Sequence, residues 1–466
     1  MWGEIAMLSG IRKLHFIGIG GVGMSALAHI LLDKGWSVSG SDLHDTPLTR
    51  ELAAAGAEIY TEHRAENVID KAVDAIVVST AIRPDNPEVL AAEKLGIKKL
   101  HRSDINALLL NAAKGIAIAG AHGKTTTTSM LGVALTAAGV DPTVIVGGVV
   151  RDFGSNARLG KSDVLVTEAD ESDGSFLKLR PHIAVVTNVE DDHLDYYGTV
   201  EKIQAAFKKF METVDEKAGR VVVCYDNEVA KMIAGQVSRT VVSYGINDGD
   251  YRASDIVTEA NQTTFTVSYK GEVLGKAKLL IPGLHNVRNA LATIAVAREL
   301  GVTFEKAAVG LMEFHGAKRR FETKGKVNGI WIVDDYAHHP TEIASTISAA
   351  KQTKPGRLIV AFQPHRYSRT QLLAKEFGVA FRGADILLLN GIYSAGEDPI
   401  EGVSGRTIYD SVLAQTDMKP IYVEDRAEVA GELAKLVQPG DLVLTMGAGD
   451  IVNSGEELLG MLEAEK

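Results

Sequence analysis

The sequence predicts an α/β protein of three domains: a Rossmann-like first domain, a central P-loop domain with an antiparallel hairpin region, and a Rossmann-like last domain. Three observations predict it. Strand-length apolar runs alternate with helix-period stretches nearly throughout, the pattern of a parallel sheet covered by helices. Two glycine-rich loops, 100 residues apart between Gly20 and Gly120, each follow an apolar run and open a helical stretch. At ~150 residues per domain, a chain of 466 residues makes roughly three.

The first segment, 1–112, carries strand-like runs at Leu14–Ile19, Ser37–Gly40 and Ala75–Ser79. The stretch "HRSDINALLLNAAKG" reads as a helix leading into the second segment, 113–320. That segment opens with the strand "GIAIAGA" and a helix over about Lys124–Ala138, followed by strands in "DVLVTEAD", "HIAVVTNVE" and "RVVVCYD". Its texture then changes. "TTFTVSYKGEVLGKAKLLIPG" alternates apolar and polar residues around Lys270-Gly271, a hairpin signature. The third segment, 321–466, returns to strand and helix alternation in "GIWIVDDYAHHP", "RLIVAFQPH", "ADILLLNG", "KPIYVED" and "DLVLTMGAG".

Composition excludes several classes. A formal net charge of −11 argues against nucleic acid or an anionic membrane as partner. The single cysteine, Cys224, ends an apolar run and reads as a buried thiol; it allows no internal disulfide and no cysteine zinc site. "MWGEIAMLSGIRK" lacks the apolar core of a signal peptide, and no apolar run reaches the ~20 residues of a membrane span. A cytoplasmic protein is expected.

The first loop, Gly18-x-Gly20-x-x-Gly23, has the spacing of a dinucleotide cradle, and Asp42 stands 19 residues beyond Gly23. Its glycines let the backbone approach a diphosphate, whether of NAD or of a nucleotide sugar. The second loop, Gly120-Ala121-His122-Gly123-Lys124-Thr125, is the sharper signal. Backbone N–H groups and a helix N-terminus face an anion there. Lys124 can neutralise outer phosphates, and the Thr125 hydroxyl can bind Mg²⁺. The usual first glycine is missing, since position 118 is Ile. Two acidic clusters end later strands: Glu168, Asp170, Glu171 and Asp173, then Asn188, Asp191, Asp192, His193 and Asp195. Clustered acids at turns are usually just solvated; after a phosphate loop they become candidates for magnesium.

Together the strings GIGGVGMSALA, GAHGKTTTT, TEADESDGSFL, TNVEDDHLDYY, PGLHNVRNALA, RRFE, DDYAHHPTE, QPHRYSRT and GAGDI resemble those of the Mur ligases of peptidoglycan synthesis, over nearly the whole chain. The resemblance implies a first domain for a UDP-sugar, a central ATPase domain and a last domain that closes on ATP and amino acid. Within the family the chain looks most like the branch that joins L-alanine to UDP-N-acetylmuramate. The implied reaction is ATP-dependent: the lactyl carboxylate is phosphorylated, and the acyl phosphate is attacked by the amine of L-alanine. The alternative is the recycling ligase that adds a murein tripeptide to the same UDP-sugar.

The resemblance also implies site residues. Lys124, with Gly120, His122, Gly123, Thr125 and Thr126, faces the ATP phosphates. Thr125 and Glu168 hold Mg²⁺ (or Mn²⁺), His193 meets a second metal, and Asn188 positions substrate. His285, Asn286 and Asn289 take the adenine side, with Arg320 and Asp335 as phosphate and ribose contacts. Gly20, Gly21, Val22, Gly23, Ser25, Asp42, Ser79, Thr80, Ala81, Arg83, His101 and Arg102 make the UDP-sugar pocket. Tyr336, His338, His365, Arg366 and Arg369 are the amino-acid candidates; Arg366 and Arg369 share a face if helical, and a histidine there could act as base. Several sister ligases carry a carbamylated lysine in an "AAK" string. Here the string is Ala205-Ala206-Phe207, and Lys208 is rotated by about 100° on a helix. No carbamylated lysine, no NAD, and a monomer or weak homodimer are expected.

Overall fold

A computed structural model describes residues 11–69, 71–191, 193–259 and 261–464. The expectation for the N-terminal stretch falls largely outside them, as do Asp192 and the side chain of Asp195. Three sheets are present among the described residues. The first holds β1 (Lys13–Ile17), β2 (Ser37–Ser41), β3 (Glu58–Tyr60), β4 (Ala75–Val78) and β5 (Lys98–His101) in the order β3-β2-β1-β4-β5, all parallel.

The second sheet holds β6 (Lys114–Ala119), β7 (Thr143–Val150), β8 (Ser155–Arg158), β9 (Val164–Glu168), β10 (Ile183–Val186), β11 (Arg220–Cys224), β12 (Val241–Gly245), β13 (Tyr251–Glu259), β14 (Gln262–Tyr269) and β15 (Glu272–Leu279). Its order is β15-β14-β13-β12-β11-β10-β6-β9-β7-β8. The expected hairpin is β14 and β15, turning at Lys270 and Gly271, both at positive φ. The third sheet holds β16 (Glu322–Val327), β17 (Ile330–Asp335), β18 (Leu358–Phe362), β19 (Ile386–Asn390), β20 (Ile421–Val423) and β21 (Leu442–Met446), in the order β16-β17-β21-β18-β19-β20. Only the β16 edge is antiparallel.

The central parallel strands are unbroken apolar runs because helices cover both faces. Ile116 to Ala119 of β6 and Ile183 to Val186 of β10 are wholly buried. Ile118 stands where the usual phosphate loop has its first glycine; it is fully buried in β6, so the loop shortens to the four residues 120–123. Both glycine-rich loops leave the strand at which sheet order reverses: β1 between β2 and β4, and β6 between β10 and β9. Ligands of open α/β sheets collect at such crevices, beyond the carboxyl ends of the strands.

The chain divides into two compact units, residues 1–254, 266–277 and 288–315 in one, and 255–265, 278–287 and 316–466 in the other. The first unit therefore contains both loops. No helix among the described residues is long and apolar enough to cross a membrane.

Candidate active site

In the first unit, the helix Lys124–Ala137 starts directly at the second loop. Gly120 and Gly123 sit at φ +137° and +85°. A Cβ on Gly120 would come within 2.1 Å of the Thr187 hydroxyl, and one on Gly123 within 2.9 Å of Asn289 Oδ1. Backbone sign and crowding both demand glycine there. Thr187 Oγ donates to the His122 carbonyl (2.6 Å). Asn188 clasps the same residue at both ends: its Oδ1 accepts from His122 N (2.9 Å) and its Nδ2 donates to His122 O (2.9 Å). Asn188 thus shapes the loop, a task its sequence position beside the acidic cluster does not reveal.

Lys124 Nζ donates to the Gly120 carbonyl (2.6 Å) and to Glu171 Oε1 (2.7 Å). Burial alone would favour the neutral amine, but Glu171, Asp170 and Glu168 outweigh it and hold the ammonium above its ordinary pKa. Asp170 is pushed up by burial yet pulled further down by Lys124, by the Ser172 hydrogen bonds and by Arg102, to about 2. Arg102 Nη2 reaches Asp170 at 2.7 Å. His193 Nε2 lies 3.7 Å from Glu171 Oε1. Glu171 carries no assigned role in the sequence reading, yet it is the carboxylate between Lys124 and His193.

Thr125 Oγ1 donates to Glu168 Oε2 (3.2 Å), and Glu168 Oε1 accepts from Gly147 N (2.6 Å). A hydroxyl and a carboxylate within one hydrogen bond form the hard-oxygen donor set that suits Mg²⁺.

A cavity of about 410 Å³ joins the two loops. Gly21, Val22, Gly23, Ser79, Thr80 and Arg102 line one side; Lys124, Gly147, Glu168 and Asp170 line the other. Asn106, Thr167 and the apolar Met24, Leu27, Ile145 and Phe176 are also in the wall, and none of these is legible as a site residue from motif spacing. Other expected UDP-side residues make local contacts. Asp42 Oδ2 accepts from Gly20 N (2.9 Å), closing the loop on itself. Ser25 is fully buried and donates to the Val22 carbonyl (3.0 Å). His101 caps the helix Arg102–Asn111 through Ser103, and burial lowers its pKa. Ala81 and Arg83 are exposed, Arg83 pairing with Asp85 (3.1 Å).

The helix Leu284–Glu299 bears the expected adenine-side residues. Asn289 is buried against Gly123 in the first unit. In the second unit His285 packs beside Gly283, and Asn286 donates to the Pro282 carbonyl (2.6 Å).

The second unit gathers the remaining candidates at the ends of β17 and β18. Asp335 accepts from Phe321 N and Ala337 N, both at 2.8 Å, and burial raises it to about 6 despite Arg320. The guanidinium of Arg320 lies 5.4 Å from the Tyr336 ring centre. His338 Nδ1 is 3.0 Å from the Tyr336 carbonyl, an acceptor only, so that nitrogen carries the proton and Nε2 is the basic one. Burial brings His338 down to about 4, with Glu342 opposing. His365 is lowered to about 3 by burial, His338 and the neighbouring arginines. Its Nδ1 accepts from Arg369 (3.3 Å). The helical pairing of Arg366 with Arg369 does not form. Arg366 precedes the helix Tyr367–Leu372 at φ +72°, its N–H held by the Tyr393 carbonyl (2.9 Å), and its side chain approaches Glu397 (3.9 Å).

Comparison with known proteins gives the family. Residues 13–114 match the Mur ligase family, catalytic domain; 118–297 match the Mur ligase middle domain; and 319–449 match the Mur ligase, glutamate ligase domain. The chain is 49% identical over 454 residues to the UDP-N-acetylmuramate--L-alanine ligase of Pelotomaculum thermopropionicum, covering 97% of this chain and 98% of the relative. It is 49% identical over 460 residues to that of Geobacter sulfurreducens, covering 98% and 99%. Among solved structures, the UDP-N-acetylmuramate-alanine ligase MurC of Thermotoga maritima superposes with a TM-score of 0.82 at 31% identity, covering 97% of this chain and all of that one. A murein peptide ligase from Psychrobacter arcticus gives 0.72 at 26%, covering 97% and 98%. With matches running across all three sheets, the chain belongs to the Mur ligase family.

Proposed function

We propose that this chain joins L-alanine to the lactyl carboxylate of UDP-N-acetylmuramate, converting ATP to ADP and phosphate. The observation that carries the reading is the cavity with a diphosphate loop on one wall and Lys124 on the other. Two cradles suit two nucleotides: one brings the acid to be activated, the other the phosphoryl group that activates it. Relatives named for L-alanine addition match at 45–49% identity, and among solved structures the L-alanine ligase superposes at a TM-score of 0.82, against 0.72 and 0.61 for two murein peptide ligases.

A carboxylate resists attack by an amine because an oxide would have to leave. In the first step a lactyl carboxylate oxygen attacks the γ-phosphorus, and the bond to the ADP oxygen breaks. Lys124, kept charged by its carboxylate neighbours, moves with the transferring phosphoryl group and neutralises it. The loop held by Asn188 and Thr187 supplies backbone N–H groups at fixed positions. In the second step the alanine amine attacks the acyl carbon and phosphate leaves with the bonding pair. The ammonium proton must first be lost; His338 Nε2 is the nitrogen placed to take it, whereas the His365 lone pair at Nδ1 is engaged by Arg369. Arg366 and Arg369 are the cations for the alanine carboxylate.

Thr125 and Glu168 would hold magnesium, with His193 beside Glu171 at a second position, and the ion would supply charge neutralisation at the phosphates. We assign 1–112, 113–320 and 321–466 as the UDP-sugar, ATP and closing domains.

An acceptor panel of L-alanine, L-serine, glycine and the murein tripeptide, read as phosphate release dependent on UDP-N-acetylmuramate, tests the reading. L-alanine as the strongly preferred acceptor supports it; a strong preference for the tripeptide overturns it in favour of the recycling reaction.

A further inference from the structure

Asn156 lies on β8, at the edge of the central sheet, and is fully buried. Its carboxamide reaches across 134 positions of sequence to the first loop. There Nδ2 donates to the Val22 carbonyl and to Ser25 Oγ, the latter at 3.1 Å. Ser25 Oγ donates in turn to the same carbonyl (3.0 Å). Both carboxamide hydrogens thereby have acceptors in one turn of the helix Val22–Asp33.

The Val22 carbonyl belongs to the peptide unit that carries the Gly23 N–H. In a trans peptide the two point in opposite directions. Gripping the oxygen from beneath therefore aims the N–H the other way, and Gly23 lines the cavity between the loops. The Gly23 N–H is among the first four of its helix, which lack an intrahelical acceptor. A hydrogen bond to the oxygen of an amide also polarises it, making its N–H a stronger donor.

We propose that Asn156 is a positioning residue for the diphosphate of the nucleotide sugar: from the central sheet it fixes and polarises the Val22–Gly23 peptide that meets that diphosphate. The proposal rests on the first loop being the UDP-sugar cradle. It assigns to a central-sheet residue a part in binding the substrate of the first sheet. No motif around "GSNARLG" announces it, because its partners are in another segment of the chain.

The test compares the wild type with Asn156→Ala, Asn156→Asp and Ser25→Ala, using UDP itself as binding probe alongside steady-state kinetics. Asn156→Ala is expected to raise KM for UDP-N-acetylmuramate and Kd for UDP by about tenfold or more, with kcat and KM for ATP within about twofold. Asn156→Asp keeps the shape but sets a carboxylate against a carbonyl, so it is expected to be worse than alanine. Ser25→Ala is expected to be milder, and the double variant with Asn156→Ala less than additive. A purely structural role would lower the melting temperature and move the ATP and UDP-sugar constants together. That outcome, or UDP affinity unchanged in Asn156→Ala, overturns the proposal. Should Asn156→Ala fail to fold, Ser25→Ala with unaltered UDP affinity would overturn it alone. Weakened UDP binding in an enzyme that does not use UDP-N-acetylmuramate would sink the proposed reaction and leave Asn156's role standing.

Discussion

Lys124 Nζ lies 2.7 Å from Glu171 Oε1, and the other oxygen of that buried carboxylate has no hydrogen-bond partner among the described residues. The lysine read from the loop motif is therefore already neutralised before a nucleotide arrives. Phosphate oxygens must draw it away from, or share it with, Glu171. The pair separates two effects that a single substitution would merge.

Lys124→Ala is expected to lower kcat by on the order of 10³-fold, because a donor aimed at transition-state charge is lost. UDP affinity should persist, since the first loop has its own scaffold. The variant should also lose about 3 kcal/mol of stability, as Glu171 is left buried without its cation. Adding Glu171→Gln should recover most of that stability and none of the turnover. Urea melts and phosphate-release assays on the single and double variants check this. Recovery of turnover in the double variant would show that the lysine acts only by balancing Glu171.

Gly123→Ala tests the loop backbone. The substitution demands a left-handed conformation, at about 1–2 kcal/mol, and drives a methyl group toward Asn289, 2.9 Å away. KM for ATP should rise by about tenfold while UDP affinity holds. Isothermal titration with a non-hydrolysable ATP analogue and with UDP gives both; equal loss of the two would mean the loops are not separate cradles.

Much of this architecture was legible from pattern. The strand, glycine turn, Lys-Thr and helix sequence is local, and each part has a backbone cause within a few residues. Asp42, expected in the UDP-sugar pocket, also accepts from Gly20 N and ties the first loop to itself, which its spacing does not reveal. Asn188, which the resemblance implies positions substrate, also braces His122, and spacing does not reveal that task. Glu171 was one of four acids in a row, and only the fold singles it out as the neighbour of Lys124. Asn156 carried no signal at all. Spacing reports what a backbone segment can form, whereas these roles depend on which side chain faces another strand.

The adjacent arginines of "KRRF" divide in the same way. Arg319 donates to Asp334 (3.0 Å) and to the carbonyls of Gly449 (3.0 Å) and Gly447 (2.5 Å). Among the described residues Arg320 has a longer approach to Glu342 (3.7 Å), and both guanidiniums face the Tyr336 ring, Arg319 at 4.9 Å and Arg320 at 5.4 Å from its centre. Arg319→Ala is expected to destabilise the second unit by about 3 kcal/mol, leaving buried Asp334 unpaired. Arg320→Ala should leave the melting temperature nearly unchanged and raise KM for ATP. Calorimetry and ATP titrations distinguish them; the reverse pattern would reassign the nucleotide contact to Arg319.

By the resemblance, Phe207 stands where several sister ligases carry a carbamylated lysine. It is buried edge-on to Phe176, with ring centres 5.4 Å apart. Phe207→Lys would put an amine into that aromatic cluster, so it is expected to lose stability and to gain no dependence on bicarbonate. In the wild type, labelled bicarbonate should produce no carbamate resonance by NMR. Turnover stimulated by bicarbonate in the wild type would contradict this.

The histidines of the second unit predict its acid sensitivity. His338 and His365 titrate at about 4 and about 3, below the ~6.5 of an unfolded histidine. Between those values the unfolded chain binds protons that the folded one refuses. Their contribution to stability is therefore complete above the unfolded value and is lost as pH falls from there through 4 and 3. Asp335 has the opposite sign. Raised to about 6, it adds stability below the ordinary carboxylate range that disappears as pH rises through 6. Two protons against one leave a net loss of roughly 1.4 kcal/mol per pH unit between about pH 6 and pH 4 from these three groups. His365→Asn, which removes one of the two, should flatten the fall in urea midpoint over that interval. His338→Gln should do the same, and Asp335→Asn should steepen it. An unchanged slope in both histidine variants would mean that the folded protein protonates these imidazoles over that interval as the unfolded chain does, and that burial does not hold them neutral there.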